Sequence, residues 1–279
     1  MNAAKIVVRL VLAWIALLAA QIATGMVIHP KTPPNPNPLL FLLVSSAFIV
    51  LPIGAAALRS DWRDWRLACA LFLVPAAIAV ANWIEGVWYL PNAGIDWRSM
   101  ILYEMVSMAI AALLWWSIFR SAAVPESAVS STLPERSFGQ RFRRFVLCSA
   151  CYVFLYFLAG MIIFPLVRDY YATQHIPSPG QIVAMQLFVR GPIFVLVCLM
   201  LLRMMRLPHW SGAVAVGLAF TFISGVAALI MPNGVFPDNV RWAHFCEVSS
   251  SNFVFGLVVG WVWGHAQRAA HLAPAAVEN

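Results

Sequence analysis

The residues best suited to chemistry lie near the start of the last apolar run, in the segment WAHFCEVSSSNFVFG (242–256). His244, Glu247 and Ser251 follow an i, i+3, i+7 spacing, so they share one face of a helix. A carboxylate beside a histidine suits acid–base work. Lipid does not hydrogen-bond such groups, and we therefore expect them to mark a site.

Other apolar runs are also interrupted by polar residues. Arg190 lies inside a run, and we expect it to be the only buried cation and to pair with one carboxylate. Two carboxylates with too little counter-charge would suit proton-coupled transport or the binding of a substrate cation. The candidate residues for binding a substrate or ion are Glu104, Glu247, Arg190, His244, Glu85, Asn82, Ser107, Ser250, Ser251 and Asn252.

The composition places this chain in a membrane. Of its 279 residues 62% are hydrophobic and 10% are charged, whereas a soluble domain carries about a quarter charged residues. The net charge of +7 does not indicate nucleic-acid binding, because the basic residues lie at the ends of apolar runs and form no tract. The lipid bilayer is therefore the expected partner, together with an unknown small molecule or ion.

Eight apolar runs are long enough to cross a bilayer, which takes about 20 helical residues. They are predicted at 7–28, 39–58, 67–89, 100–119, 145–165, 182–202, 211–231 and 245–264. Turn-rich segments such as HPKTPPNPNP (29–38) and MPNGVFPDN (231–239) separate them. The expected fold class is an all-α integral membrane protein.

The basic residues between the runs predict the orientation. With the N-terminus inside, 13 Lys and Arg fall in cytoplasmic segments and 4 on the opposite side. Both termini are therefore predicted to be cytoplasmic, and Glu85, Glu104, His244 and Glu247 to lie near the outer surface. No Asn-x-Ser/Thr acceptor occurs and the loops are short, which favours a bacterial plasma (inner) membrane.

The two halves of the chain resemble each other. Arg9–Pro30 and Arg144–Pro165 are identical at 7 of 22 positions, at an offset of 135. At an offset of 143, Arg98, Glu104 and Ser107 face Arg241, Glu247 and Ser250. We therefore predict a tandem, parallel 4+4 repeat, with a first half at 1–119, a cytoplasmic linker at 120–143 and a second half with a short tail at 144–279.

The repeat makes Glu104 and Glu247 a predicted pair. Equivalent glutamates at equivalent depth should face each other or a shared cavity if the pseudo-twofold axis passes between them. Each glutamate has a plainer alternative, because a glutamate near the interface can reach water. The serines also have one, because serines in membrane helices often bond to their own helix. Gly25 and Gly160, each followed five residues later by proline, are expected to help their helices end.

No motif indicates a particular reaction. The sequence lacks a phosphate-binding loop, a dinucleotide-binding glycine motif, HExxH and GxSxG. No ligand spacing supports a metal, and no span offers histidines for a haem, so we expect no cofactor. The favoured function is a small transporter or membrane-embedded binding protein with an outward-opening polar cavity. The alternatives are a membrane-embedded enzyme acting on an amphipathic substrate, and a non-catalytic subunit or sensor.

Overall fold

A computed structural model describes residues 2–31, 35–90, 94–122, 137–174 and 176–271, with side chains to residue 264. The regular elements among these residues are all helical. They are α1 (Ala3–Ile28), α2 (Pro38–Arg59), α3 (Trp65–Tyr89), α4 (Trp97–Phe119), α5 (Phe138–Tyr171), α6 (Pro179–Met185), α7 (Gly191–Met205), α8 (His209–Thr221), α9 (Ala227–Leu229) and α10 (Asp238–His271).

Two short π-helical segments complete the spans. The first, Gln186–Arg190, joins α6 to α7, and the second, Phe222–Val226, joins α8 to α9. Within the described residues, eight helices are thus long and apolar enough to cross a membrane, as predicted, with span six at Pro179–Met205, span seven at His209–Leu229 and span eight at Asp238–Gly264. This number and composition indicate a polytopic membrane protein.

Local signals explain where the helices begin. Asp96 caps α4 by accepting from the backbone N–H groups of Arg98 and Ser99, and Ser178 forms a capping box with Gln181 at the start of α6. Helix α1 ends at Ile28, because His29 adopts a left-handed conformation and Pro30 follows.

Helix α5 does not end as the sequence suggested. Pro165 lies inside the helix, which continues to Tyr171. The expectation that Gly160 and Pro165 end this helix is therefore wrong. A proline removes one backbone hydrogen bond, and a helix supported by packing on both sides of it can continue. The extra turns carry Tyr170 and Tyr171 beyond the proline.

The helices pack in a regular order. Helix α4 lies against α1 and α3, and α10 lies against α5 and α8. Helix α2 contacts α7, and α3 also contacts α7. Helices α8 and α10 approach closely, since a Cβ on Gly260 would lie 2.6 Å from the Cα of Ala213. Small residues at such contacts let membrane helices pack backbone to backbone.

Arginines at one end of the bundle donate hydrogen bonds to other helices and loops. Arg9 donates to the hydroxyl of Ser121, and Arg144 donates to the carbonyl of Val262. Arg63, in the loop between α2 and α3, donates to the carbonyls of Ala57 and Ala122. Burial lowers the pKa of the Arg63 guanidinium from its usual value.

The candidate residues lie towards the opposite end, where the odd-numbered spans finish and the even-numbered spans begin. We call this the polar end. Arg241 is buried there with 3% of its surface exposed, and it donates to the carbonyls of Leu229 and Ile230. Arg190 is thus not the only buried cation, because an arginine is also needed to satisfy the end of span seven.

Candidate functional site

The centre of the candidate site is an ion pair between Arg190 of span six and Glu85 of α3. Asn82, one turn before Glu85, accepts a 2.9 Å hydrogen bond from Nη2 of Arg190. Gln186 donates to Oε1 of Glu85 at 2.9 Å. The carboxylate partner of Arg190 is therefore Glu85, and neither Glu104 nor Glu247 occupies that position.

The first π-helical segment brings Gln186 and Arg190 to this centre. The N–H of Gly191 donates to the carbonyl of Gln186, five residues earlier, which defines the wider turn. Gln186 and Arg190 are four residues apart on this segment, and both side chains reach Glu85 of α3. A Cβ on Gly191 would lie 3.1 Å from the carbonyl of Ser149, so glycine also permits close packing on α5.

Aromatic rings cover the guanidinium. Its carbon lies 4.9 Å from the ring centre of Phe194 and 5.8 Å from that of Tyr152. Both distances suit cation–π attraction, which favours keeping the charge on a buried arginine. One turn after Tyr152 on α5, the hydroxyl of Tyr156 donates to that of Tyr89 at 2.9 Å.

A second polar group joins α5 to α10. The hydroxyl of Tyr171 lies 2.7 Å from Nε2 of His244, and Nδ1 of His244 lies 2.7 Å from Oε2 of Glu247. The i, i+3 spacing of the histidine and glutamate had predicted their shared face. We call His244 and Glu247 the dyad. Tyr171 reaches it because α5 continues past Pro165.

The ion pair and the dyad are linked through Tyr152. The ring of Tyr152 contacts Phe194, which lies against Arg190, and also contacts Phe255 of α10, the helix that carries the dyad. We call the residues Glu85, Gln186, Arg190, Tyr152, Tyr171, His244 and Glu247 the polar cluster. It draws on α3, α5, span six and α10.

The second π-helical segment connects to the same cluster. Asn82 donates to the carbonyl of Ser224 at 3.2 Å, and Asn252 of α10 donates to the hydroxyl of Ser224 at 2.8 Å. Asn252 is buried, with 3% of its surface exposed. Its role is to hold α10 against span seven, and through Asn82 this bond network continues to Arg190.

Glu104 has different neighbours. It lies half-buried on α4, where its carboxylate interacts with Trp83, and α4 packs against α1 and α3. In the part of the chain that the structure describes, no hydrogen bond or ion pair joins Glu104 to the polar cluster. The shared cavity for Glu104 and Glu247 stays a prediction without a contact to support it.

The serines mostly bond within their own helices. Ser107 donates to the carbonyl of Tyr103 at 2.6 Å, Ser250 to that of Cys246 at 2.7 Å, and Ser251 to that of Glu247 at 2.7 Å. These bonds satisfy the hydroxyls without a ligand. They favour a packing role for Ser107, Ser250 and Ser251.

Sequence reasoning missed Gln186 and the tyrosines Tyr89, Tyr152, Tyr156 and Tyr171. Gln186 gave one usable signal, because it precedes Arg190 by four residues inside an apolar run. Tyr152 and Tyr156 show the same spacing on α5. No group of three or more metal-binding side chains occurs in the part of the chain that the structure describes.

An apolar groove lies on the lipid-facing side of the cluster. Its lining comes from α3 and span six and consists of Ile84, Val87, Trp88, Ala184, Met185, Phe188 and Val189. These residues alternate with Glu85, Gln186 and Arg190 along the two helices, so the groove and the charged centre are neighbours.

Comparisons with models of known families, with curated proteins and with solved structures found no match for this chain.

Proposed function

We propose that this polytopic membrane protein is a small transporter or membrane-embedded binding protein whose site is the polar cluster. The observation that carries the proposal is the gathering of Glu85, Arg190, His244 and Glu247 between four helices, at depths where ionisable groups are costly. Charges inside a membrane protein mark substrate or ion pathways more often than they serve packing alone.

The tandem repeat forms part of this proposal. It predicts that α1 and α4 correspond to α5 and α10, and each of these pairs is packed together. Arg9 and Arg144 correspond in sequence; Arg9 donates to the hydroxyl of Ser121, just after α4, and Arg144 donates to the carbonyl of Val262 in α10. The contact between α2 and α7 fits a pseudo-twofold axis between the halves.

The charge distribution of the loops gives the proposed direction. It predicts that the polar end faces the outside of a bacterial plasma membrane. The site would then open to the periplasmic side. The two π-helical segments suit such a site, because π-bulges are frequent at functional positions and offer alternative hydrogen bonding when a helix moves.

A ligand screen with matched variants tests this function. The purified protein would be screened for solutes that raise its thermal unfolding temperature, and each hit would be tested for uptake or counterflow in proteoliposomes. We expect hits to be lost in Glu247→Gln and Glu85→Gln and kept in Glu104→Gln. Hits that are indifferent to both cluster variants would overturn the proposal.

A second candidate function is a membrane-embedded enzyme acting on an amphipathic substrate. The Tyr171–His244–Glu247 hydrogen bonds favour it, because a histidine oriented by a carboxylate is a common acid–base device. The apolar groove beside α3 would suit an alkyl chain. Turnover of a lipid-like substrate in detergent, without any gradient, would support the enzyme over the transporter.

A further inference from the structure

Two π-helical segments of different spans are joined by one side chain. Asn82 of α3 accepts a 2.9 Å hydrogen bond from Nη2 of Arg190, the last residue of the first segment (Gln186–Arg190). Its amide nitrogen donates to the carbonyl of Ser224 at 3.2 Å, and Ser224 is the middle residue of the second segment (Phe222–Val226). The polar cluster thus has a direct side-chain connection to span seven, which contributes none of its members.

The chemistry of the two partners fixes the orientation of the Asn82 amide. An arginine side chain can only donate hydrogen bonds, and a backbone carbonyl can only accept them. The amide of asparagine carries one acceptor oxygen and one donor nitrogen on a single plane. Its oxygen must therefore face Arg190 while its nitrogen faces Ser224. A rotation of the amide that follows Arg190 consequently carries the nitrogen away from the Ser224 carbonyl.

Both π-helical segments are places where a helix can change its hydrogen bonding. The N–H of Gly191 bonds to the carbonyl of Gln186, and that of Ala227 to the carbonyl of Phe222, each five residues earlier. A Cβ on Gly191 would lie 2.8 Å from the Gln186 carbonyl oxygen, so the first wide turn depends on glycine. A return to α-helical bonding would shift the register by one residue and rotate the flanking side chains relative to each other by about 100°.

Ser224 has a second anchor that does not lead to the ion pair. Asn252 of α10 donates to Oγ of Ser224 at 2.8 Å, and this oxygen donates to the carbonyl of Phe220 at 2.6 Å. Two asparagines thus hold the same buried serine, one at its side chain and one at its backbone. Among the described residues, only Asn82 bonds both to Ser224 and to the polar cluster.

We propose that Asn82 couples the two π-helical segments, so that breaking the Arg190–Glu85 pair loosens the second segment and the polar end of span seven. When Glu85 no longer holds the guanidinium, Arg190 moves and the Asn82 amide turns with it. The Ser224 carbonyl then loses its side-chain donor. This inference goes beyond the proposed function, because it states how span seven responds to the polar cluster whatever the cluster binds. A ligand that competes for Glu85 or Arg190 would act through the same step.

The test is amide hydrogen exchange of the full-length protein in detergent, followed by mass spectrometry of peptides that cover residues 222–230. Glu85→Gln removes the charge that holds Arg190. Exchange over residues 222–230 should then become about fivefold faster, the factor expected when one hydrogen bond is lost from a local opening equilibrium. Peptides from His209–Thr221, in the same span, should keep their exchange rates. Unchanged exchange over residues 222–230 would overturn the proposal.

A pair of asparagine variants identifies the side chain that carries the effect. Asn82→Leu removes both hydrogen bonds of the amide, so exchange should be fast from the start and adding Glu85→Gln should not raise it further. Asn252→Ala removes the other bond to Ser224 and keeps Asn82, so Glu85→Gln should still accelerate exchange in that background. An equal response to Glu85→Gln in the two backgrounds would overturn the role of Asn82.

Arg190→Lys releases Asn82 by a second route and serves if Glu85→Gln does not fold. Lysine keeps the positive charge beside Glu85 but lacks the fork of nitrogens with which arginine reaches two acceptors. It should also accelerate exchange over residues 222–230, and no acceleration would contradict the coupling. Accelerated exchange without any hit in the ligand screen keeps this inference while the proposed function fails. Hits that depend on the polar cluster, together with unchanged exchange, overturn the coupling alone.

Discussion

The proposed repeat makes Glu104 and Glu247 equivalent, but their surroundings differ. Glu104 is half-buried beside Trp83, and its helix α4 packs against α1 and α3. Glu247 contacts His244, which in turn contacts Tyr171. One carboxylate thus lies beside a tryptophan, and the other belongs to a hydrogen-bonded network.

Sequence differences at equivalent positions account for this contrast. At the offset of 143, His244 corresponds to Ile101, so Glu104 has no histidine one turn before it. At the offset of 135, Tyr152 and Tyr156 correspond to Leu17 and Gln21. Helix α1 therefore carries an aliphatic side chain and an amide where α5 carries two phenols.

Helix length adds a third difference. Helix α1 ends at Ile28, just before Pro30, whereas α5 passes Pro165 and reaches Tyr171. Among the described residues, α5 but not α1 carries a tyrosine to the start of the last helix of its half. The proposed repeat would place a glutamate at the same position in each half, while a few substitutions and one extended helix give the two glutamates different neighbours.

The largest effect on stability should come from Arg190→Met. This change leaves the buried Glu85 carboxylate without its cation and should cost about 3–5 kcal/mol of unfolding free energy. Thermal unfolding in detergent would measure it, and Glu104→Gln is the matched control that should stay close to the unmodified protein. An Arg190→Met/Glu85→Gln double variant should recover part of the loss, and a stable Arg190→Met single variant would contradict the importance of the pair.

A smaller effect is expected for Tyr171→Phe. It removes the hydroxyl that contacts Nε2 of His244 and should cost about 1 kcal/mol, the usual net contribution of one hydrogen bond. The neighbouring Tyr170→Phe is the control, because the hydrogen bonds described at Tyr170 involve its backbone carbonyl. If both variants unfold at the same temperature, the contact between the Tyr171 hydroxyl and His244 does not stabilise the protein.

Introducing a histidine beside Glu104 would test whether the histidine alone accounts for the difference between Glu104 and Glu247. Ile101→His places a histidine one turn before Glu104, as His244 precedes Glu247. When this change is made in the Glu247→Gln background, we expect no recovery of binding for the solutes found in the ligand screen, because α1 ends at Ile28 and offers no counterpart of Tyr171. A calorimetric titration would measure the affinity, and recovery of binding would show that the histidine alone creates the site.

The smallest effects are expected for the serines, and they should be equal in the two halves. Ser107→Ala and Ser250→Ala each remove a hydroxyl that bonds to a carbonyl of its own helix. Such changes should alter stability by about 0.5 kcal/mol or less. Thermal unfolding and ligand titration of both variants would check this, and a loss of binding in Ser250→Ala alone would place that hydroxyl in the site.

The sequence by itself determined the helical class and the number of spans. Lipid offers no hydrogen bonds to the backbone, so apolar runs long enough to cross a bilayer must become helices. Eight such runs could be identified without any tertiary information. It also identified Glu85, Arg190, His244 and Glu247 as candidates, because ionisable residues stand out against an apolar background. The His244–Glu247 contact was predictable from their spacing, since both lie on one turn of one helix.

Only the tertiary structure decided which residues from different helices meet. The pairing of Arg190 with Glu85 depends on the packing of span six against α3 and on a π-helical turn that an apolar sequence pattern does not reveal. Tyr171 meets His244 because α5 continues through a proline that local rules would place at a helix end. Periodicity fixes the face of a single helix, but partners across helices depend on the relative rotation and length of every helix in the bundle.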